Sequence, residues 1–588
     1  MILKIFNPFR FRPLSLFAFL ATGLLLSSAT AQGAPSEKPN IVVVLVDDLG
    51  FSDISSYGGE IPTPNLDRLA AEGMRMTQFY NASRCMPTRV ALLTGRYNHL
   101  AGSPMMEGKG ARYDEATGER IGGTSNGAVL RETPTLGEVF RHNGYQTWHT
   151  GKWHAGEHFE YQWPLQRGFD KFYGTVKGAT PNKFNGANVY EGNEEIEKPV
   201  PEGWFIGNAI TDKALEYIRD RDTSKPFFLY HCPLEPHWPF QAPEEDIEPF
   251  RGMYDVGYEV LRQQRHERAI ELGVVPEGTE LEPYDPFLPS WEKFKELHPE
   301  WFFEQRVIKN AEAYAGSIKN LDDNVGRIVA ELEREGILDN TILLFLSDNG
   351  SEHIMATKDG IMFPWSTLHN TPFRWHKLSQ HHGGTATPFI VRWPDGGIPA
   401  GAMNTGQVGH VKDIMGTLLE ATGAEFPEEN LRLETWPHQS ESLLAAWRDP
   451  AHDEPRTLFF EHNGNRAVRQ GDWRLVRTYH PLDWVPGALR SGSGMPFPEY
   501  YAETHGIEPP LPPFNARPLT GEWELYNVEI DRSEMNNLAD QYPEKVAELA
   551  ALFDAFWEST NWKIREDMFS NSIEAWKAEH PSNQQLTQ

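Results

Sequence analysis

"NIVVVLVDDLG" (residues 40–50) runs from Ile41 to Val46 without a polar residue and then stops on Asp47-Asp48. A strand with one face in water alternates apolar and polar residues. An unbroken β-rich run is the pattern of a strand covered on both faces. Far downstream, "NTILLFLSDNG" (340–350) repeats the design: Ile342 to Leu346 is apolar, and Asp348-Asn349-Gly350 follows. Other runs behave alike. "YQTWHTGKWH" (145–154) ends in Lys152 and His154, and "PFFLYHCPLEPHWPF" (226–240) leads to His237. "TATPFIVRWP" (385–394) reads as a further buried strand, preceded by the Lys377-to-Gly384 segment.

Helical patterns lie between these strands. "TPNLDRLAAEGM" (63–74) has Thr63 and Pro64 as start signals, and "TPTLGEVFRHNGY" (133–145), "AITDKALEYIRD" (209–220) and "YAGSIKNLDDNVGRIVAELEREG" (314–336) are similar. Strands alternating with helices predict an α/β domain, a mainly parallel sheet sandwiched by helices. Such sheets collect ligands outside the carboxyl ends of their strands, where this chain repeatedly places polar clusters. Residues from Tyr254 to Trp301 read as an insertion over the sheet edge. After Ala445 the texture changes. "RTLFFEHNGNRAVRQGDWRLVRTY" (456–479) and "WELYNV" (523–528) read as antiparallel strands, separated by a Pro/Gly-rich loop from about Pro481 to Pro518. "PEKVAELAALFDAFWEST" (543–560) reads as a closing amphipathic helix. The expected organisation is a signal peptide over 1–31, a main domain over 40–445, a smaller α+β subdomain over 446–570 and a tail over 571–588.

The leader carries Lys4, Arg10 and Arg12, an apolar stretch from Leu14 to Leu26 and the small-residue site Ala29-Thr30-Ala31. It predicts a periplasmic or secreted protein with no membrane association after cleavage. The formal net charge of −29 argues against nucleic-acid binding, and an anionic substrate would need a local cationic pocket. With two cysteines in an exported chain, a Cys85–Cys232 disulfide is one reading.

Asp47, Asp48, Asp348 and Asn349 together form an all-oxygen set suited to Ca²⁺ or Mg²⁺. Either pair alone would read as a turn or helix cap. Cys85 precedes Pro87, a residue favoured in a helix first turn, so its sulfur would meet oriented N–H groups and a field that favours a thiolate. The Cys-x5-Arg spacing of cysteine phosphatases fails, because position 91 is alanine.

"CMPTRVALLTGR" (85–96) resembles the type I sulfatase signature of the alkaline phosphatase superfamily, C-x-P-[ST]-R followed by L-T-G-R. "VDDLG" (46–50), "SDNG" (347–350), "GKWH" (151–154), "PHWPFQAPEED" (236–246) and "HKLSQHHGGTATPFIVRWP" (376–394) are similar to its other motifs. The resemblance implies an alkaline-phosphatase-like fold and conversion of Cys85 to formylglycine (3-oxoalanine) by a formylglycine-generating or anaerobic sulfatase-maturating enzyme. It would leave Cys232 a single thiol. It also implies Ca²⁺ held by Asp47, Asp48, Asp348, Asn349 and the position-85 group. Sulfate oxygens would be held by Lys152 and Lys377, with His237 at the leaving oxygen. Asp348 and His154 would be proton acceptors, and Arg89 would hold the position-85 group. The implied activity is sulfate ester hydrolysis on a sulfated sugar or aryl sulfate. Phosphonate or phosphate ester hydrolysis, or sulfated-glycan binding without turnover, are the alternatives. The chain departs from the family at His382-Gly383-Gly384, commonly Glu-Gly-Gly, and has Thr88 where serine is commoner. His369, Asn370 and Arg374 are candidates for lining the pocket; Trp153, Trp238 and Trp375 could stack on a sugar or an aryl ring, although core packing is the expected duty of each. Asn81-Ala82-Ser83 matches a glycosylation sequon that a bacterial-type leader makes idle.

Overall fold

The computed structural model describes residues 38–103, 128–157, 160–281, 306–352, 363–430, 433–462, 464–478 and 522–560, with short stretches at 112–113, 120–122, 290–292 and 295. The leader, the Pro481–Pro518 loop and the tail after 570 lie outside the described residues. Residues from Pro39 onward form a single contact unit.

The predicted central strand is β1 (Asn40–Val46). The other strands of its sheet are β2 (Met74–Tyr80), β3 (Gln146–Lys152), β4 (Lys171–Thr175), β5 (Val189–Glu191), β6 (Glu194–Glu195), β7 (Phe227–Cys232), β8 (Thr341–Ser347), β9 (Ala386–Arg392), β10 (Ala402–Asn404) and β11 (Gly409–His410). Their order is β10-β2-β9-β8-β1-β7-β3-β4-β5-β6, with β11 also on β2. β1 lies parallel to β8 and β7, and β3 lies parallel to β7 and β4. The mainly parallel α/β expectation therefore holds. β5 is antiparallel to β4 and β6 at one edge, and β9 is antiparallel to both β8 and β2. Its start, not its end, faces the carboxyl ends of β1 and β8, and that brings the preceding Lys377 segment to the same edge.

The continuous apolar runs are buried on both faces. Val42, Val44 and Val46 pack with Leu66 and Leu69 of α1 (Pro64–Glu72), Ala214 and Ile218 of α4 (Ile206–Arg219) and Ile318 and Val325 of α6 (Arg306–Arg334). Ile41, Val43 and Leu45 face Val90 and Leu93 of α2 (Cys85–Thr94), Val139 of α3 (Leu136–His142) and Ile414 of α7 (Asp413–Thr422). α3 starts on a capping box in which Thr135 and Glu138 satisfy each other's backbone N–H. α2 is buried throughout and stops at Gly95, whose φ of 64° lets its N–H reach back to Ala91.

The stretch expected as an edge insertion contains α5 (Tyr258–Glu271), and it is tied inward. Its Arg265 is 1% exposed and pairs with Asp53 at 2.7 Å and with Glu60. Asp53 also accepts from Gly50 N–H, Tyr314 Oη (2.6 Å) and His369 Nδ1, which anchors the loop after β1. Burial pushes the Asp53 carboxyl up, but His369 and Arg265 outweigh it and hold it at about 2. A depressed carboxyl stabilises the fold above its unfolded value and loses that contribution as pH falls toward the folded one. Asp53→Asn should therefore cost stability at pH 7, about 2 kcal/mol of it pH-linked, and the gap to the parent should shrink between pH 5 and pH 2. Urea melts across that range check it; a gap constant with pH would refute it.

Four strands, β12 (Thr457–His462), β13 (Asn465–Gln470), β14 (Trp473–Arg477) and β15 (Trp523–Asn527), form a separate antiparallel meander in the C-terminal region. Val468, Leu475 and Leu525 pack on Leu549 and Phe553 of α8 (Pro543–Ser559). No helix among the described residues is long and apolar enough to cross a membrane.

Candidate active site

In-step pairing of β1 with β8 builds the site. Val46 is opposite Ser347, so the residues that follow, Asp47-Asp48 and Asp348-Asn349, emerge side by side. Asp348 N–H donates to Val46 O, and Asp48 N–H donates to Asp348 Oδ1 at 3.2 Å. On the other flank Asp47 bridges to Pro236, beside His237. Asp48 makes this turn with φ 67°. Ser83, His154, Trp375 and Leu378 share that left-handed conformation, so the backbone is strained around the whole pocket, as functional sites often are.

Three cations neutralise this acidic edge. Arg89 stands one helical turn after Cys85 on α2, so the two side chains share a face. The fully buried guanidinium donates from Nε to Asp348 (2.9 Å) and from Nη1 to Lys152 O (2.9 Å), and its Nη2 is 2.8 Å from Asp348 and 3.8 Å from Asp47. Lys152, the last residue of β3, donates to both Asp47 oxygens at 2.7 and 2.9 Å. Lys377 donates to Asp48 at 2.6 and 2.8 Å and to Glu352 at 2.8 Å. Sequence reading missed Glu352, although it lies just past the second acidic motif.

Charge and burial then set the titration. Burial raises Asp47 and Asp48, but His237 and Lys152 acting on Asp47, and Lys377 and His237 on Asp48, hold both below the usual carboxylate range. Asp348 goes the other way: burial and the charge of Asp47 push it up to about 7 against Arg89 and Lys152. Burial, with the positive charges of Lys152, Arg89, His237 and Arg84, holds His154 well below its ordinary value. Burial outweighs Asp47 and Asp48 at His237, which sits at about 4. Lys377 is lowered by burial, yet Asp48 and Glu352 win and keep it firmly charged.

The residues fit a hard cation. Asn349 Nδ2 donates to Asp48 Oδ1 (2.7 Å) and Gly350 O (2.8 Å), while its buried Oδ1 has no donor and is left as a free ligand atom. Ligand atoms of Asp47, Asp48 and His237 lie within 4.8 Å of one another. His237 thus joins the acidic cluster rather than standing apart from it, with Nε2 3.5 Å from Asp48.

The Sulfatase family model matches residues 39–424. The chain belongs to the sulfatase family. It is 30% identical over 571 residues to an uncharacterized sulfatase of Schizosaccharomyces pombe, covering 88% of this chain and 93% of that one. It is 30% identical to an arylsulfatase of Klebsiella aerogenes over 70% of this chain and 93% of the relative. The N-acetylgalactosamine-6-sulfatase of Sus scrofa is 30% identical, with 69% and 66% covered. Two solved structures share the fold. Ps i-CgsB in complex with k-i-k-neocarrahexaose has TM-score 0.61, 23% identity and coverage of 90% and 94%. BT4656 in complex with its substrate D-glucosamine-2-N,6-O-disulfate has TM-score 0.57, 20% identity and coverage of 89% and 98%.

In this sulfatase Cys85 is 2% exposed at the first position of α2. Cys85 and Cys232 are both free, so the disulfide reading falls. Three residues expected at the pocket serve the framework instead. His369 is bonded to Asp53, Asn370 to Ser351 and Ser366 O, and Arg374 to Tyr526 Oη and Glu534 O. Trp153 is fully buried, with Nε1 on Gln162 O, whereas Trp238 and Trp375 are half-buried.

Proposed function

We propose that this sulfatase hydrolyses sulfate esters of sulfated carbohydrates outside the cytoplasm, using a formylglycine at position 85 and a calcium ion. The observation that carries the reading is the juxtaposition, around one helix N-terminus, of Cys85, three lysine and arginine cations and three carboxylates. Relatives that include an N-acetylgalactosamine-6-sulfatase support a sugar substrate, and an arylsulfatase among them makes a simple aryl sulfate the alternative.

Asp47, Asp48, Asp348 and Asn349 would hold the calcium ion, with His237 adjoining, and the ion would supply positive charge against the sulfate oxygens. The hydrated aldehyde would supply one hydroxyl for attack on sulfur and a second whose deprotonation frees sulfate by C–O cleavage. The chain's own residues do the rest. Asp348, lifted toward neutrality, holds the proton taken from the attacking hydroxyl. Lys152 and Lys377 orient the sulfate and stabilise its charge, a preorganised role suited to side chains already fixed by ion pairs. His237 Nδ1 donates to Trp238 O, so Nε2 is an acceptor that would orient the leaving alcohol, and the Lys377 ammonium would supply the proton that the leaving oxygen takes. His154, kept neutral by burial and its cationic neighbours, has a buried, unpartnered Nδ1 and serves as the final base. Arg89 fixes Asp348 relative to position 85.

A Cβ on Gly178 would fall 2.5 Å from His154 Nε2. Gly178→Ala should therefore displace that ring and slow turnover about 10- to 100-fold, with melting temperature little changed. Steady-state kinetics beside thermal melts check it; full turnover would place His154 outside the reaction.

The decisive experiment measures free sulfate from an aryl sulfate, regioisomeric galactose and N-acetylglucosamine sulfates, and sulfated algal oligosaccharides, with the position-85 aldehyde quantified by mass spectrometry. Release from one sugar regioisomer is expected. A protein with the aldehyde that releases none, but cleaves a matched phosphate ester, would overturn the proposal.

A further inference from the structure

Glu534 lies in the loop between β15 and α8, far along the chain from every motif of the site, and it is fully buried with φ 59°. The segment that follows Lys377 closes around it. Its Oε2 accepts from His381 Nδ1 (2.9 Å) and from His382 N–H (3.0 Å), and its carbonyl accepts from Arg374 Nη1 (2.6 Å). Arg474 of β14 pairs with Oε1 at 2.9 Å and donates to Gln380 O and to Thr385 Oγ1. Burial raises Glu534, but His382, His381 and Arg474 outweigh it, so the carboxylate is charged.

The opposite side of the same segment touches the reaction centre. Gln380 Nε2 donates to Ser83 Oγ at 2.7 Å, Leu378 N–H donates to Ser83 O at 2.8 Å, and Lys377 N–H donates to Ser351 O at 3.2 Å. Ser83 is two residues before Cys85. Trp375 and Leu378, on either side of Lys377, have φ 66° and 82°, conformations that persist only where surroundings over-determine them. The surroundings that do so converge on one carboxylate.

We infer that Glu534 is a positioning residue: by clamping residues 380–385 it fixes Lys377 on one side and Ser83 on the other, so the C-terminal region completes the catalytic pocket. The inference rests on the proposed roles of Cys85 and Lys377. Asp48 and Glu352 hold the Lys377 ammonium, and the clamped segment holds the backbone that carries its flexible stem.

The test uses the full chain carrying Glu534→Gln, Glu534→Asp or Gln380→Met, the last cutting only the links to Ser83 and Leu378 O and sparing the ion pairs in case Glu534→Gln folds poorly. Three readouts are taken on protein normalised for the position-85 aldehyde: kcat and KM for an aryl sulfate, the dissociation constant for inorganic sulfate by calorimetry, and melting temperature. Glu534→Gln should lower kcat at least 10-fold and weaken sulfate binding at least 5-fold, Glu534→Asp should recover part of both, and Gln380→Met should lower kcat several-fold without a matching loss of melting temperature. Folded Glu534→Gln or Gln380→Met protein with parental kcat and sulfate affinity would overturn the inference. So would losses that only track the unfolded fraction. If the parent itself releases no sulfate, the functional reading fails, and the sulfate dissociation constants still decide the role of Glu534.

Discussion

Arg89→Ala will cost about 3–5 kcal/mol of folding stability and, in the protein that remains folded, lower sulfate release on the order of 10³-fold. Both effects follow from one buried guanidinium. Arg89 contacts Asp348 through two nitrogens, approaches Asp47 with one of them, and ties α2 to the end of β3 through Lys152 O. Its removal leaves Asp47 and Asp348 facing each other in a site without water-like screening. Asp348 already sits at about 7 through burial and the charge of Asp47. Without Arg89 the carboxyl rises further, which favours its protonated form and weakens it as a proton acceptor. Arg89→Lys keeps a charge but cannot reach two carboxylates and a carbonyl at once, so it should recover only part of each loss. Urea denaturation and sulfate release on the same preparations check this. Parental stability with more than a tenth of parental activity would remove Arg89 from the role.

Cys85→Ala separates chemistry from folding. Replacing the position-85 group by a methyl should change stability by about 1 kcal/mol, because the neighbouring ion pairs are untouched. Turnover should fall on the order of 10⁴- to 10⁶-fold, as when other enzymes lose their nucleophile. Affinity for inorganic sulfate, which depends on Lys152 and Lys377, should stay within a few-fold of the parent. Cys85→Ser sharpens the test: a lone hydroxyl can attack sulfur, yet it has no second hydroxyl to drive C–O cleavage, so at most one equivalent should turn over. Sustained turnover by either variant would exclude position 85 as the nucleophile.

The strands and the acidic pairs at their ends were legible because burial on both faces writes itself as an apolar run, and the run ends where the ligands begin. Which runs lie side by side is not written locally. The antiparallel course of β9 decides that Lys377 approaches from the start of a strand, and nothing in "TATPFIVRWP" gives its direction. His369, Asn370 and Arg374 are polar residues beside a motif lysine, and that proximity suggested a pocket. His369 and Arg374 have partners, Asp53 and Glu534, that are distant in sequence, so their structural duty was invisible. Glu534 and Arg265 carry no motif, and their importance exists only once the chain has folded around them. Trp153 illustrates the general difficulty with aromatics: its neighbours in sequence belong to the site, whereas its ring belongs to the core.

The pairing of β1 with β8 also has a temporal meaning. The acidic residues at their ends are 300 positions apart in the chain, so the contacts that finish the pocket are strongly non-local and form slowly. Cys85 precedes most of them in order of synthesis and is 2% exposed once they exist. If Cys85 is converted as proposed, the oxidising catalyst would work against a clock: it would have to reach α2 while the chain is still open, and a molecule that closed first would be well folded yet without its nucleophile.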